Sequence, residues 1–149
     1  MNQLRKDMYK LLLAAIALFV AGCASEPIPY EGKDHPFRVA MRDMKEPYKT
    51  LETFETDASI APKAAAAAQE LKALCITTCK MKPAFLTPDQ HLEYEKHFKD
   101  MVAVINAFEP AFKNGDLKKA QGIYAELAKV KKAAHGQFIK QAKKHRGAE

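Results

Sequence analysis

Among the side chains of this 149-residue chain, His135 is the one most able to do chemistry. It stands in the run Lys131-Lys132-Ala133-Ala134-His135-Gly136-Gln137-Phe138, deep in a C-terminal segment with helical periodicity. There an imidazole can reach into a helix-bundle core, and a neutral ring nitrogen is a good metal ligand. The thioether of Met41, near the other end of the sequence, is its expected companion donor. A second group of soft atoms comprises Cys75, Cys79 and Met81. Two thiols one helical turn apart are poorly placed for a mutual disulfide. They read as one buried and one part-exposed structural residue, as a copper site, or, for Cys79, as a point of redox-dependent dimerisation. His35, His91, His97 and His145 fall near helix ends or on polar faces and are expected to be solvated. No pair of Glu-x-x-His motifs, no nucleophile elbow and no glycine-rich phosphate loop is present, so the chain is not read as an enzyme.

The ends of the chain bear on where such chemistry would take place. Arg5, Lys6 and Lys10 precede an apolar run from Leu11 to Gly22, which is short for a membrane span and reads as a secretory signal over residues 1–22. Val20-Ala21-Gly22-Cys23 resembles the bacterial lipoprotein cleavage box, which makes Cys23 the expected lipid anchor. Ala24, not an aspartate, follows it, and by resemblance to enterobacterial sorting this favours the inner leaflet of the outer membrane, facing the periplasm. Residues 23–35 carry Pro27, Pro29 and Gly32 without apolar period and read as a flexible tether. Removing Arg5, Lys6, Lys10 and Asp7 lowers the formal charge from +6 to +4, and the remaining cations are interspersed with acids. A nucleic-acid partner is poorly motivated by such a distribution. A cationic face suits an anionic partner or lipid headgroups.

The elements that must position His135 and Met41 are helices. Alternating strand patterns and hairpin turns are missing, and Ala, Lys and Glu dominate residues 36–146, expected to form one all-α domain. The first helix is expected from Pro36 to Phe54, with Phe37, Met41, Met44, Tyr48, Leu51 and Phe54 on one seam and a kink at Pro47. Asp57 to Pro62 supplies caps for a second helix running to about Lys82, with Ala64, Ala67, Ala68, Leu71, Leu74, Cys75 and Thr78 inward. Thr87-Pro88-Asp89-Gln90 reads as a capping box opening a third helix that buries Tyr94, Phe98, Met101, Ile105, Phe108 and Phe112, is bent near its end by Pro110, and is closed by Asn114-Gly115. Asp116 caps a fourth, with Leu117, Ala120, Tyr124, Leu127, Val130, Ala134 and Phe138 inward. Short connections predict an antiparallel up-down-up-down four-helix bundle, in which Met41 and His135 meet across the core at one depth. Only something as wide as a metal coordination sphere can join them.

The run Lys113-Asn114-Gly115-Asp116-Leu117-Lys118-Lys119-Ala120-Gln121, followed by Leu127, Lys129 and His135, resembles the last loop and helix of the cytochrome b562 family, in the cytochrome c-prime superfamily. The same register reaches back through Phe98 and Tyr94, and Phe37-Arg38-Val39-Ala40-Met41 matches the segment that carries the family's methionine ligand. The resemblance covers most of residues 36–138. It implies Met41 and His135 as axial ligands of a haem iron, with Leu71, Tyr94 and Phe98 packed against the ring. Lys131 and Ala134 occupy the positions of the thioether cysteines found in c-type relatives, which implies haem b held without covalent attachment. Lys131 is expected to be solvated, with a propionate as its other possible neighbour.

The function implied is one-electron transfer by a lipid-anchored periplasmic cytochrome with unidentified redox partners. A haem-free periplasmic binding or sensor bundle and copper handling through Cys75 and Cys79 are the competing readings.

Overall fold

The computed structural model describes residues 35–146, with side chains through residue 142. The expected signal peptide, the Cys23 anchor, residues 23–34 of the tether and the His145 side chain lie outside the described residues. Six α-helical segments follow one another: α1 (Pro36–Asp43), α2 (Lys45–Thr56), α3 (Ala61–Cys79), α4 (Pro88–Asn106), α5 (Phe108–Lys113) and α6 (Leu117–Arg146), with a single 3₁₀ turn at Ala58–Ile60 before α3. No strand occurs among the described residues, so the domain is all-α. None of the described helices is long and apolar enough to cross a membrane.

Three prolines decide where helices stop, and all three act at one offset. A proline has no N–H to give the carbonyl four residues earlier, and its ring crowds that carbonyl. Counting back four from Pro47, Pro83 and Pro110 gives Asp43, Cys79 and Asn106, the last residues of α1, α3 and α4. The first expected helix is thus divided into α1 and α2 around Met44 and continues to Thr56. The third is divided at Ala107, and the second ends at Cys79, three residues short of Lys82.

Helix starts follow from side chains that satisfy orphan donors. Thr87 accepts from the Gln90 N–H at 3.4 Å, while the Gln90 side chain accepts from the Thr87 N–H at 2.9 Å, a complete capping box. Asp57 accepts from the Ser59 N–H at 2.9 Å, and Asp116 from the Lys119 N–H at 3.0 Å. Gly115, at φ +69°, closes α5 by letting the Asp116 N–H reach the Ala111 carbonyl and its own N–H reach that of Phe112. Thr87→Ala removes one half of the capping box and is expected to cost about 0.5–2 kcal/mol in a chemical-denaturation measurement, with an unchanged slope.

His35 departs from expectation. It is buried, and its Nδ1 accepts from the Phe37 N–H at 3.1 Å. Because Pro36 has no N–H, Phe37 carries the first donor of α1 and the preceding imidazole caps it. The ordered unit therefore includes the residue assigned to the end of the tether.

The helices pack as four rods, α1–α2, α3, α4–α5 and α6, around one core. Helix α2 packs on α3, α3 on α4, α4 on α6, and α6 again on α2. The inward faces are the predicted ones: Ala64, Ala67, Ala68, Leu71, Cys75 and Thr78 on α3, Tyr94, Phe98, Met101 and Ile105 on α4, and Ala120, Tyr124 and Leu127 on α6 are buried. Phe54, Phe108, Leu51 and Leu127 are each fully buried.

Candidate functional site

Beyond Leu127 the inward positions of α6 change character. Val130, Ala134, His135 and Phe138 are only half-buried, and α1 contributes Ala40 alone as a buried residue. Helix α1 packs on α2 and α3, so the distal half of α6 faces it without being filled in. The result is a cavity of about 790 Å³ bounded by α1, α2, α3, α4 and α6. Pockets for small molecules and cofactors fall in the range of about 300–1,000 Å³. Met41, His135, Leu71, Tyr94 and Phe98 all line it.

The walls are aromatic and interlocked. Tyr94 packs against Phe98 at 4.9 Å and Phe138 at 5.9 Å between ring centroids, and Phe37 meets Phe85 at 5.8 Å and Tyr94 at 6.1 Å. These separations suit edge-on and tilted packing of aromatic rings. The Tyr94 hydroxyl donates to the Thr78 carbonyl at 2.7 Å, near the end of α3. Burial raises its pKa far above the ordinary phenol value, so the ring serves as a fixed wall rather than a proton donor.

His135 is poised as a neutral base. Desolvation, and then the charge of Lys131 one turn earlier, lower its pKa below the ordinary imidazole value. At neutral pH a ring nitrogen therefore has its lone pair available, and the imidazole makes no hydrogen bond among the described residues. The unfolded chain binds this proton more tightly than the folded one, so this group's contribution makes stability fall as pH drops below about 6.5, the ordinary histidine value. We expect His135→Gln to flatten the decline in apo-protein stability between pH 7 and 5. A decline as steep as that of the native chain would place the titration elsewhere.

Thioethers come from more than one position. Met41 is half-buried, while Met44, at the break between α1 and α2, is buried, and both line the cavity together with Met101. Lys131 is half-buried rather than solvated. Its Nζ lies 3.4 Å from the centroid of the Tyr48 ring, a cation–π contact, and burial lowers its pKa. The Tyr48 hydroxyl in turn accepts from that of Tyr124 at 3.3 Å.

Two further histidines are placed differently from expectation. His97 is half-buried in the cavity wall, its Nε2 3.2 Å from Gln137 Oε1 and its ring edge-on to Phe138 at 5.5 Å. The Nε2 of His91 lies 3.0 Å from the Pro83 carbonyl. Neither contact is local in sequence, so position near a polar face did not reveal it. Phe85, in the connection after α3, is a wall residue that helical periodicity does not single out. A run of cations, Arg38, Arg42, Lys45 and Lys49, also lines the cavity. Their spacing of four, three and four places them on one helical face, a pattern that the sequence reading of interspersed charge did not single out.

Cys75 and Cys79 are free thiols outside this cavity. Cys75 is fully buried, and burial pushes its thiol up to about 12; Cys79 is half-buried, donates to the Glu95 carbonyl at 3.7 Å and is also raised, chiefly by burial. Both are protonated at neutral pH. Among the described residues, no group of three or more His, Cys, Asp or Glu side chains could hold a metal ion.

The chain matches no family model, no curated protein and no solved structure.

Proposed function

We propose that this chain is an electron-transfer protein of the cytochrome b562 type, in which an antiparallel up-down-up-down four-helix bundle holds haem b non-covalently between Met41 and His135. The observation that carries this reading is the convergence of Met41, Leu71, Tyr94, Phe98 and His135 on one cavity, from segments 94 residues apart at the extremes.

The donor set suits a haem iron. His135 offers a neutral imidazole nitrogen and Met41 a thioether sulfur from the facing rod. Bound haem would supply a one-electron couple whose potential is raised by methionine ligation. With Met41 and His135 both holding the iron, no position would remain for a substrate, in keeping with a protein that catalyses nothing itself. Leu71 and Phe98 would exclude water from a bound haem, and the bond from Tyr94 to Thr78 holds the aromatic wall in place. Exclusion of water and a fixed ligand geometry both reduce the rearrangement that accompanies a change of charge. Lys131 and Ala134 offer no thiol for covalent attachment, so retention rests on burial and ligation. The Cys23 lipid anchor would confine the domain to the periplasmic face of the outer membrane, where it would exchange electrons with other periplasmic redox proteins.

The test is an absorption spectrum of the purified protein reconstituted with haem, oxidised and reduced. Sharp low-spin bands at one haem per chain are expected. A five-coordinate, high-spin spectrum in both states, or no stoichiometric binding, overturns the reading.

A further inference from the structure

The proposed function accounts for the apolar walls of the cavity but not for its charged edge. Arg42, Lys45 and Lys49 follow one another at intervals of three and four along α1 and α2, and all three are exposed while lining the cavity. They therefore stand where the cavity meets solvent. Arg42 makes only a long 3.9 Å contact to the neighbouring Asp43, with the two side chains 65% and 48% exposed. Lys45 and Lys49 form no ion pair among the described residues. Arg38 extends the stripe toward the start of α1, and Lys131 faces it from α6. Glu52 is the single acidic residue among the lining side chains.

What sets these cations apart is that they border an apolar cavity. Three other surface lysines do have acids one turn away, Lys96 with Asp100 at 2.8 Å, Lys99 with Glu95 at 3.4 Å and Lys129 with Glu126 at 2.7 Å, and none of these pairs borders the cavity. Unanswered cations at an apolar opening repel one another and gain when an anion arrives with its own apolar body buried behind it. Lysine and arginine also have the reach to close on such a group, because their stems lie along apolar surface while their charged ends remain in water.

We infer that the Arg42–Lys45–Lys49 stripe is a carboxylate-binding edge, so that the cavity selects an apolar ligand carrying carboxylates and orients it with those groups toward α1 and α2. The inference rests on the reading that the cavity accepts a porphyrin-sized group, and it is independent of whether iron is ligated. It assigns orientation and selectivity to residues that touch neither axial position.

The experiment uses metal-free protoporphyrin IX and its dimethyl ester, titrated by fluorescence into the purified native chain and into an Arg42→Gln/Lys45→Gln/Lys49→Gln variant. Glutamine removes the charge while keeping a similar helix propensity, and far-UV circular dichroism checks that the fold is retained. The native chain is expected to bind the diacid at least tenfold more tightly than the diester. The triple variant is expected to lose that factor for the diacid, with diester affinity changing less than twofold. Raising the salt from 50 to 500 mM should likewise weaken the diacid alone. Failure of the native chain to bind the diacid, equal weakening of both probes, or an unaltered diacid affinity in the variant overturns the proposal. Haem spectra of the same two proteins separate the two readings. Charge-dependent diacid binding without a low-spin haem spectrum refutes haem ligation alone. A low-spin spectrum with no diacid preference refutes the carboxylate edge alone.

Discussion

Replacing His135 by alanine is expected to abolish the low-spin haem spectrum and to weaken haem binding by more than about 100-fold. Removing a group that merely orients a metal ligand typically costs about 10–100-fold in affinity, so removing the ligand itself should exceed that range. Among the α6 side chains that line the cavity, none can take its place: Lys131 is held over the Tyr48 ring, and Ala134, Phe138, Ile139 and Ala142 have no donor atom. His97 lies in the same cavity, but its Nε2 is engaged by Gln137. The apo-protein should survive the change. His135 is half-buried and makes no hydrogen bond among the described residues, and alanine has the higher helix propensity. Equal melting temperatures of the two apo-proteins, with a spectrum lost in one, separate ligation from folding. A low-spin spectrum persisting in the variant would remove His135 from the iron. The companion comparison decides between the two methionines that the cavity presents. Met41→Ala should yield a high-spin, lower-potential haem, and Met44→Ala should retain the low-spin bands; the reverse result would transfer the role to Met44.

Phe54→Ala is expected to destabilise the domain by about 3–5 kcal/mol, lowering its melting temperature by more than about 10 °C. Phe54 is fully buried at the end of the bundle away from the cavity, its ring 5.3 Å from that of Phe112 and its carbonyl accepting from Gln121 at 3.0 Å. Truncation there opens a void among fixed neighbours, and the lost contacts have no replacement. Phe98 provides the contrast. It is similarly large and 7% exposed, but one side of its ring faces the cavity. A side chain beside empty volume has fewer partners to lose, so Phe98→Ala should cost the apo-protein distinctly less. With haem bound, the same substitution should cost more, because the ring then packs on both sides. Thermal melts of both variants with and without haem give the comparison. An apo-protein cost for Phe98→Ala equal to that of Phe54→Ala would mean that the cavity is closed in solution.

Much of the helical framework can be read from short-range chemistry. Thr87 and Gln90 satisfy each other three residues apart, Gly115 takes the left-handed conformation that a side chain disfavours, and three prolines each cancel one hydrogen bond four residues back. The inward faces follow from periodicity for the same reason, since residues three and four apart share a side of a helix. The detail that was harder to read is how far a proline propagates. A kink was expected at Pro47 and a bend at Pro110, and each interruption is a single residue, Met44 or Ala107, that keeps a right-handed helical backbone and lies three residues upstream of the proline. The missing N–H belongs to the proline, but the carbonyl it abandons belongs to the preceding turn.

The candidate site was partly legible for a different reason. Met41, Leu71, Tyr94, Phe98 and His135 were named through resemblance, and their common cavity arises from packing that no single segment encodes. Sequence alone could not place His35 as a buried cap, since that role depends on Pro36 having no donor and on the imidazole turning back onto Phe37. It misplaced His97 because the partners of that residue, Gln137 and Phe138, are on another helix.

By itself the sequence determined which segments form helices, where most of them start and which side of each faces inward, because caps and periodicity act within one or two turns. It also determined that no cysteine stands at positions 131 and 134. Only the tertiary structure decided that the end of the bundle holding His135 remains hollow while the end holding Phe54 is filled. That difference depends on the volume left between rods, which is set jointly by side chains far apart in sequence. The same packing brings Arg42, Lys45 and Lys49 to the edge of the hollow, so a helical stripe that would otherwise be an ordinary solvated face borders an apolar opening.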